Sequence, residues 1–278
     1  KWARMMREAG VDVVYGVAGL KTHAKAVLVV RSEGETIRRY AHLGTGNYHP
    51  STARIYTDLG LLTCREDITS DLAETFNQLT GVSKFPGMKK LLVAPYDLLG
   101  RLLEKIGTEA ANARAGRPSG IYAKLNSLIE DSVINALYEA SNAGVPVRLL
   151  VRGMCALRPG VPGLSENIEV RSIVGRFLEH SRIYRFENAG DPEFYLASAD
   201  WMPRNLHRRV EIAFPISAPL MKKHVAEILE THWKDNTKAK RMSSDGLYHS
   251  ISAEGPRFDS QEAFVREATR RRKSTAAG

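Results

Sequence analysis

A short His-x-basic motif occurs twice in this chain, and each time it sits in the same frame. The first is Thr22-His23-Ala24-Lys25, and the second is Glu179-His180-Ser181-Arg182. Each is followed by a turn of small residues carrying an amide or an acid, Gly44-Thr45-Gly46-Asn47 and Ala197-Ser198-Ala199-Asp200. Asn47 lies 11 positions before Asp58, and Asp200 lies 11 before Glu211. The repeat reaches further still, because Ala9-Gly10-Val11-Asp12-Val13 recurs as Ala143-Gly144-Val145-Pro146-Val147. From Gly10 to His23 is a short step and from Gly144 to His180 a long one, which an insertion around Arg158 to Asn167 accounts for. A duplicated chain folds into two copies of one supersecondary unit, and a motif kept in both copies belongs where the copies meet.

The elements between these motifs alternate in type. Short Val-rich runs at 11–15 and 26–31 read as buried strands, and 36–43 as a third that ends at the Gly44 turn. Residues 67–79 carry Ile68, Leu72, Phe76 and Leu79 on one helical face, after which Gly81, Pro86 and Gly87 mark a boundary. A second unit opens with a strand at 91–95 and a helix at 97–111, then a polar loop at 113–120. The helix 127–143 ends at Gly144, the strand 147–152 follows, and a Gly/Pro-rich loop runs to Gly163. Further strands are expected at 168–174, 182–187, 193–198 and 209–214, and a long helix at 219–234. The predicted class is α/β, with a first unit at 1–88, a second at 89–250, and a C-terminal helix and basic tail at 251–278. The last dozen residues are polar and have nothing to order them.

Composition limits the possible classes. At 278 residues and 43% hydrophobic content the chain can bury real cores, and no apolar run is long enough to span a bilayer. The opening Lys1-Trp2-Ala3-Arg4 has neither an initiator Met nor a signal peptide, and reads as the middle of a helix in a fragment of a longer protein. Cys64 and Cys155 lie far apart without metal-ligand spacing, which fits reduced thiols rather than zinc or a disulfide framework. The net charge of +9 and pI of about 9.6 are compatible with an anionic partner, although part of the excess is the run Arg270-Arg271-Arg272-Lys273. Trp201 and Trp233 read as packing residues. Arg204, Arg208 and Arg209 either line a path for an anion or are solvated or paired with Glu211.

A His two residues before a Lys on a strand presents both side chains on one face. An imidazole can attack phosphorus, and an ammonium can hold a phosphate oxygen and offset developing charge. One such pair alone is commonplace, but two in a duplicated frame match what in-line displacement needs, a nucleophile on one side and a proton donor or charge stabiliser on the other.

The doublet resembles the phospholipase D superfamily, whose His-x-Lys is followed by an Asp and a later Gly-Ser/Thr-x-x-Asn. Here Val30 stands where that Asp belongs in the first copy, Glu187 stands there in the second, and the second basic residue is Arg182. A plain phosphodiesterase is therefore a poor fit. A closer resemblance covers almost the whole chain. The stretches 16–25, 40–48 (Tyr40 to Tyr48) and 53–59, then 124–128, 151–160, 177–182 and 198–206, are similar in the same order to the histidine-dependent polyphosphate kinases, which are built on phospholipase-D-like domains. That resemblance implies two such α/β sandwich domains related by internal duplication, with the first lacking its N-terminal part. It implies that His23 is the nucleophile taking the γ-phosphate of ATP and that His180 opposes it, moving a proton or contacting the phosphate. Tyr56 would stack on adenine and Arg152 would bind nucleotide phosphate, while Lys25 and Arg182 clamp phosphoryl oxygens. His42 either plays a secondary part or supports the Gly44 turn. The implied reaction is reversible transfer between ATP/ADP and inorganic polyphosphate through a phosphohistidine. The implied cofactor is magnesium, with no metal ligand in this stretch because the arginines of the magnesium site lie upstream. The resemblance further implies a homo-oligomer in the full-length form, no nucleic-acid partner, and a cytoplasmic place, with peripheral contact to the inner membrane left open. Two other readings stay open, a phospholipase-D-type hydrolase and a polyanion-binding fragment without catalysis.

Overall fold

In a computed structural model that describes residues 2–82, 87–251 and 255–276, the duplication appears as a repeated strand order. After helix α1 (Trp2–Glu8), the first copy contributes β1 (Lys21–Thr22), β2 (Lys25–Glu33), β3 (Thr36–Gly44), β4 (Tyr56–Thr57), β5 (Gly60–Thr63) and helix α2 (Glu66–Leu79). Strand β3 pairs antiparallel with both β2 and β5. The second copy runs β6 (Leu92–Ala94), α3 (Leu98–Arg114), β7 (Ile121–Leu125), α4 (Asp131–Asn142), β8 (Val147–Val151), β9 (Ile168–Ile173), β10 (Leu178–Glu179), β11 (Arg182–Phe186), β12 (Glu193–Ala197), α5 (Pro203–Arg208), β13 (Arg209–Ile216) and α6 (Pro219–Trp233). Here β12 pairs antiparallel with both β11 and β13, so β11-β12-β13 repeats the meander β2-β3-β5. The chain closes with β14 (Ala239–Met242), β15 (Tyr248–Ser250) and α7 (Ser260–Ala276).

The larger sheet joins the copies. Among the described residues its order is β1-β13-β12-β11-β7-β8-β9-β14-β15, with β6 beside β1 on the same edge of β13. A strand of the first copy therefore completes the sheet of the second. The central strands are parallel β7-β8-β9, with β7 joined to β8 through α4, and every residue of β7 is buried. The continuous burial of β7 follows from having both faces covered, whereas β9 alternates. One core lies under α3 and α4, with Leu98, Leu102, Ile106, Val133 and Leu137 against Leu125, Leu149 and Val170. The other lies on the opposite face and draws on both copies, packing Leu43, Leu61, Ile68 and Leu72 with Ile183, Leu196, Ile212, Phe214 and Leu229.

Most expected elements are present within a residue or two, with three differences. Residues 11–15 form no strand, and Val11, Val14 and Tyr15 are exposed, because the Val11 N–H is taken by Met6 O in α1 and no strand among the described residues pairs with the run. Helix α4 begins at Asp131 rather than 127, because the backbone N–H groups of Leu128, Ile129 and Glu130 are taken by the carbonyls of Met154 and Trp201. The tail is helical through Ala276 instead of unstructured. Its start is anchored by buried Asp235, which accepts the Ser260 N–H and Oγ–H, both at 2.8 Å, and Phe264 packs on His232. The expected boundary signal Pro86 lies outside the described residues.

Candidate active site

Both histidines sit in the break just before a strand, not on it. His23 separates β1 from β2, and His180 separates β10 from β11. In each copy the basic residue two positions on opens the strand. The short strand before each histidine belongs to a pairing between copies. β1 runs parallel to β13, and the N–H groups of His23 and Ala24 both donate to Val210 O at 2.9 Å. β10 runs parallel to β4, which places Leu178 beside Tyr56 and Glu179 beside Thr57.

Each imidazole is held by a carboxylate of the other copy. His23 Nδ1–H donates to Glu211 at 2.8 Å, and His180 Nδ1–H donates to Asp58 at 2.8 Å. The carboxylates are themselves bonded in matching ways. Thr45 Oγ1 donates to Asp58 at 2.7 Å, and Ser198 Oγ donates to Glu211 at 2.5 Å. Glu211 is fully buried and also accepts from Asn205 Nδ2 at 2.6 Å, so it is not a partner of Arg204, Arg208 or Arg209. An Nδ1–H donor bond to a fixed carboxylate sets the tautomer and leaves Nε2 as the lone-pair nitrogen. Among the described residues His23 Nε2 has no hydrogen bond, whereas His180 Nε2 receives Arg182 Nη1 at 3.1 Å.

The two basic residues differ. Arg182 is buried and donates through Nη2 to Asp200 at 2.8 Å. Burial alone would raise the Asp200 carboxyl, but Arg182 and the backbone N–H groups of Asn126 and Ser127 outweigh it and hold the carboxyl below its ordinary range. In the first copy Asn47 stands where Asp200 stands in the second, and buried Lys25 has no hydrogen-bond partner for its Nζ among the described residues. Burial, partly offset by Glu211, lowers its ammonium from 10.5 to about 8. Burial likewise lowers the His180 imidazole, against the bond to Asp58 and with help from Arg182.

The remaining expected residues are arranged around His180. The Tyr56 ring lies 4.9 Å from the His180 ring, centroid to centroid. Arg152 donates through Nε and Nη2 to Asn126 Oδ1 at 2.9 and 2.7 Å, and Asn126 Nδ2 donates to His180 O at 3.2 Å. His42 is placed otherwise. Its Nδ1 bonds the Tyr48 hydroxyl at 2.7 Å, and its ring packs against Gly60 and Gly44, where a Cβ would come within 2.5 and 3.4 Å of it. Val30 is exposed on β2, and Glu187 pairs with Arg185, so neither stands in for a phospholipase D aspartate. Trp201 is fully buried against Tyr184, and Arg171 covers the Trp233 ring, which makes both packing residues. Sequence reading singled out Asp58 and Glu211 only by spacing, and gave Asn126, within the matched stretch 124–128, no role of its own. The equal step of 11 in both copies was the available signal.

No group of three or more His, Cys, Asp or Glu among the described residues could hold a metal. The acids nearest the histidines are already bonded to His23, His180 and Arg182. These residues do not fit a resident magnesium site. A magnesium ion carried on a nucleotide's own phosphates would belong to the substrate.

Fold and site together define a duplicated α/β protein in which the histidine of each copy is held by a carboxylate of the other. The chain belongs to the polyphosphate kinase family: residues 1–85 match the family's "Polyphosphate kinase C-terminal domain 1" and residues 91–261 its "Polyphosphate kinase C-terminal domain 2". It is 50% identical over 278 residues to a polyphosphate kinase of Streptomyces coelicolor, covering 99% of this chain and 37% of that protein. It is 55% identical over 253 residues to one from Pseudomonas aeruginosa, covering 91% of this chain and 37% of that protein. The crystal structure of polyphosphate kinase from Porphyromonas gingivalis superposes with a TM-score of 0.91 at 37% identity, covering 98% of this chain and 42% of that one. The chain thus spans well under half the length of these relatives.

Proposed function

We propose that this chain carries the phosphoryl-transfer centre of a polyphosphate kinase, which moves the γ-phosphate of ATP reversibly to inorganic polyphosphate through a phosphohistidine at His23. The observation that carries this reading is the pair of imidazoles, each oriented through Nδ1 by the other copy's carboxylate, with Nε2 of His23 unbonded among the described residues. In this reading His23 Nε2 attacks the γ-phosphorus. The N–P bond forms as the P–O bond to ADP breaks, and ADP leaves with the electron pair. Glu211 stabilises the positive ring while the phosphate is attached. A terminal oxygen of polyphosphate then attacks the same phosphorus and the N–P bond breaks, restoring His23 and lengthening the chain by one. A phosphoramidate has a transfer potential close to that of an anhydride, so both steps stay nearly balanced and the sequence runs either way. A serine ester would be a thermodynamic trap.

His180, opposite, contacts the phosphate or moves its proton once phosphate draws Arg182 away from Nε2. Lys25 and Arg182 clamp the phosphoryl oxygens, Arg152 holds a nucleotide phosphate, and Tyr56 stacks on adenine. Residues 1–88 and 89–250 serve as the two halves, with 251–278 as the C-terminal helix and basic tail. The same reading carries a homo-oligomeric full-length enzyme in the cytoplasm, with ATP/ADP and polyphosphate as partners. No helix among the described residues is long and apolar enough to cross a membrane.

The test uses the full-length protein with ADP, magnesium and polyphosphate, comparing wild type with His23→Ala and His180→Ala. Loss of ATP formation in both folded variants is expected, with acid-labile, base-stable label from γ-labelled ATP on wild type and none on His23→Ala. Label retained by His23→Ala would remove His23 from the role. A wild type that forms no ATP would turn attention to phosphodiester hydrolysis or to salt-sensitive polyanion binding without covalent phosphate.

A further inference from the structure

Glu179 has no part in the transfer just described, yet its carboxylate is bonded by four side chains. It is 4% exposed. One oxygen accepts Thr57 Oγ1–H at 3.0 Å and His232 Nε2–H at 2.9 Å, and lies 3.2 Å from Lys124 Nζ. The other accepts Gln261 Nε2–H at 2.7 Å. His232 meets Ile228 O through Nδ1 at 2.8 Å, so both of its ring nitrogens face oxygen atoms. Lys124, His232 and Glu179 thus meet at one buried point, drawn from β7, α6 and β10. Burial disfavours the charge on Glu179, but Lys124 and His232 overcome it and hold the carboxyl well below its ordinary range.

The cluster holds three consecutive residues. Glu179 is fixed by its own side chain. Lys124 also donates to Ser181 Oγ at 2.9 Å and Ser181 O at 3.2 Å, and Asn126 takes the carbonyl of His180. The approach to them is closed by Gln261, at the start of α7. Its Oε1 accepts the Phe177 N–H at 2.9 Å and its Nε2 donates to Phe177 O at 2.8 Å. Gly175 allows this approach, since a Cβ there would lie 2.6 Å from Gln261 Oε1. Arg152 lines the same small internal space as Lys124, Glu179 and His232. A buried ion cluster is a poor source of net stability, because well-packed apolar residues would serve as well or better. It does impose geometry, and a misplacement of about 1 Å at a reacting group costs on the order of 10²-fold in rate.

We propose that Glu179 and Gln261 are positioning residues for His180: the C-terminal segment, through Gln261 and through His232 of α6, sets the angle at which that imidazole meets the phosphate. The proposal rests on the role given to His180 above. It makes a side chain on the C-terminal helix, outside the transfer centre, a determinant of the rate. The family match to the second domain ends at residue 261 itself.

The experiment is Gln261→Ala in the full-length protein, a neutral change that leaves the buried charges paired. The expected result is a fall in kcat for ATP formation of roughly 10- to 100-fold, with KM for ADP within about twofold and the thermal transition kept. The acidic limb of the kcat–pH profile is also expected to move up toward an ordinary histidine. His180 is held low by burial while facing Asp58, Arg182, Lys25 and the Tyr56 ring, and loosening its strand admits water. A purely structural role would scale the rate with the folded fraction and leave the profile per folded molecule unmoved, and that outcome overturns the proposal, as does wild-type activity. Should Gln261→Ala fail to fold, His232→Gln carries the same expectations and the same two refutations. An inactive wild type overturns the kinase reading and this inference with it, whereas an active wild type with an indifferent Gln261→Ala overturns this inference alone.

Discussion

At the scale of single residues, the two copies have diverged where chemistry demands it. Arg182 is neutralised by Asp200, while Lys25, facing Asn47 in the corresponding frame, is buried with its ammonium unpaired. In the function proposed above, the Lys25 ammonium, without a hydrogen-bond partner among the described residues, takes a phosphate oxygen. The ammonium is charged below pH 8 and neutral above it, given its lowering to about 8. We expect kcat/KM, which reports the free enzyme, to fall as pH rises through about 8. Lys25→Arg should keep its charge and flatten that basic limb, whatever it costs at neutral pH, and a pH–rate profile of both proteins checks this. At the opposite histidine, Asp58→Asn would present an amide N–H to Nδ1 and reverse the ring tautomer. A loss of kcat of about 10²-fold or more is expected with the fold intact, as is general when a histidine's orienting carboxylate becomes an amide. Full activity in that variant would show that the Asp58 bond has no catalytic consequence.

At the scale of elements, the turn after β3 is shaped by what lies across from it. A Cβ on Gly46 would stand 2.2 Å from the Asp58 carboxylate, which is already pinned by Thr45 and His180. Gly46→Ala must therefore displace the group that orients His180. We expect a loss of about 1–3 kcal/mol in denaturant unfolding together with a fall in activity. Element types were legible in the chain because their periods are local properties: the Ile68/Leu72 spacing made α2, and the bounded Val-rich run made β2. The same local evidence failed at 11–15 and at 128–130, where the choice rests on which distant carbonyl or amide is within reach.

At the scale of the whole molecule, the copies are not independent bodies. β1 of the first lies in the sheet of the second, and one core is shared between them. The link also has a buried polar clasp. Asp71, in α2, accepts the backbone N–H groups of Lys89, Lys90 and Leu91 at 3.2, 2.6 and 2.9 Å, just before β6. Asp71→Ala would leave three donors without their acceptor, at a cost of about 3 kcal/mol or more. For a chain of this size that corresponds to a fall in Tm of roughly 6–12 °C. Circular dichroism should show one transition in both proteins. A variant that melts in two steps would mean the copies hold their structure separately.

The amino-acid order by itself determined the class of fold and the duplication, and it singled out both histidines with their basic partners as candidates, because each is written in residues close together in the chain. It also marked Asp58 and Glu211 by equal spacing, without saying which histidine either one serves. Only the tertiary structure decided that the carboxylates are exchanged between copies, that His42 belongs to the Tyr48 and Gly60 packing, and that Glu179, His232 and Gln261 meet beneath His180. His23 and Glu211 are 188 positions apart, and Glu179 and Gln261 are 82 apart. A periodicity cannot express such distances. They become contacts when the sheet brings β1 beside β13 and when Asp235 and Gln261 dock the start of α7.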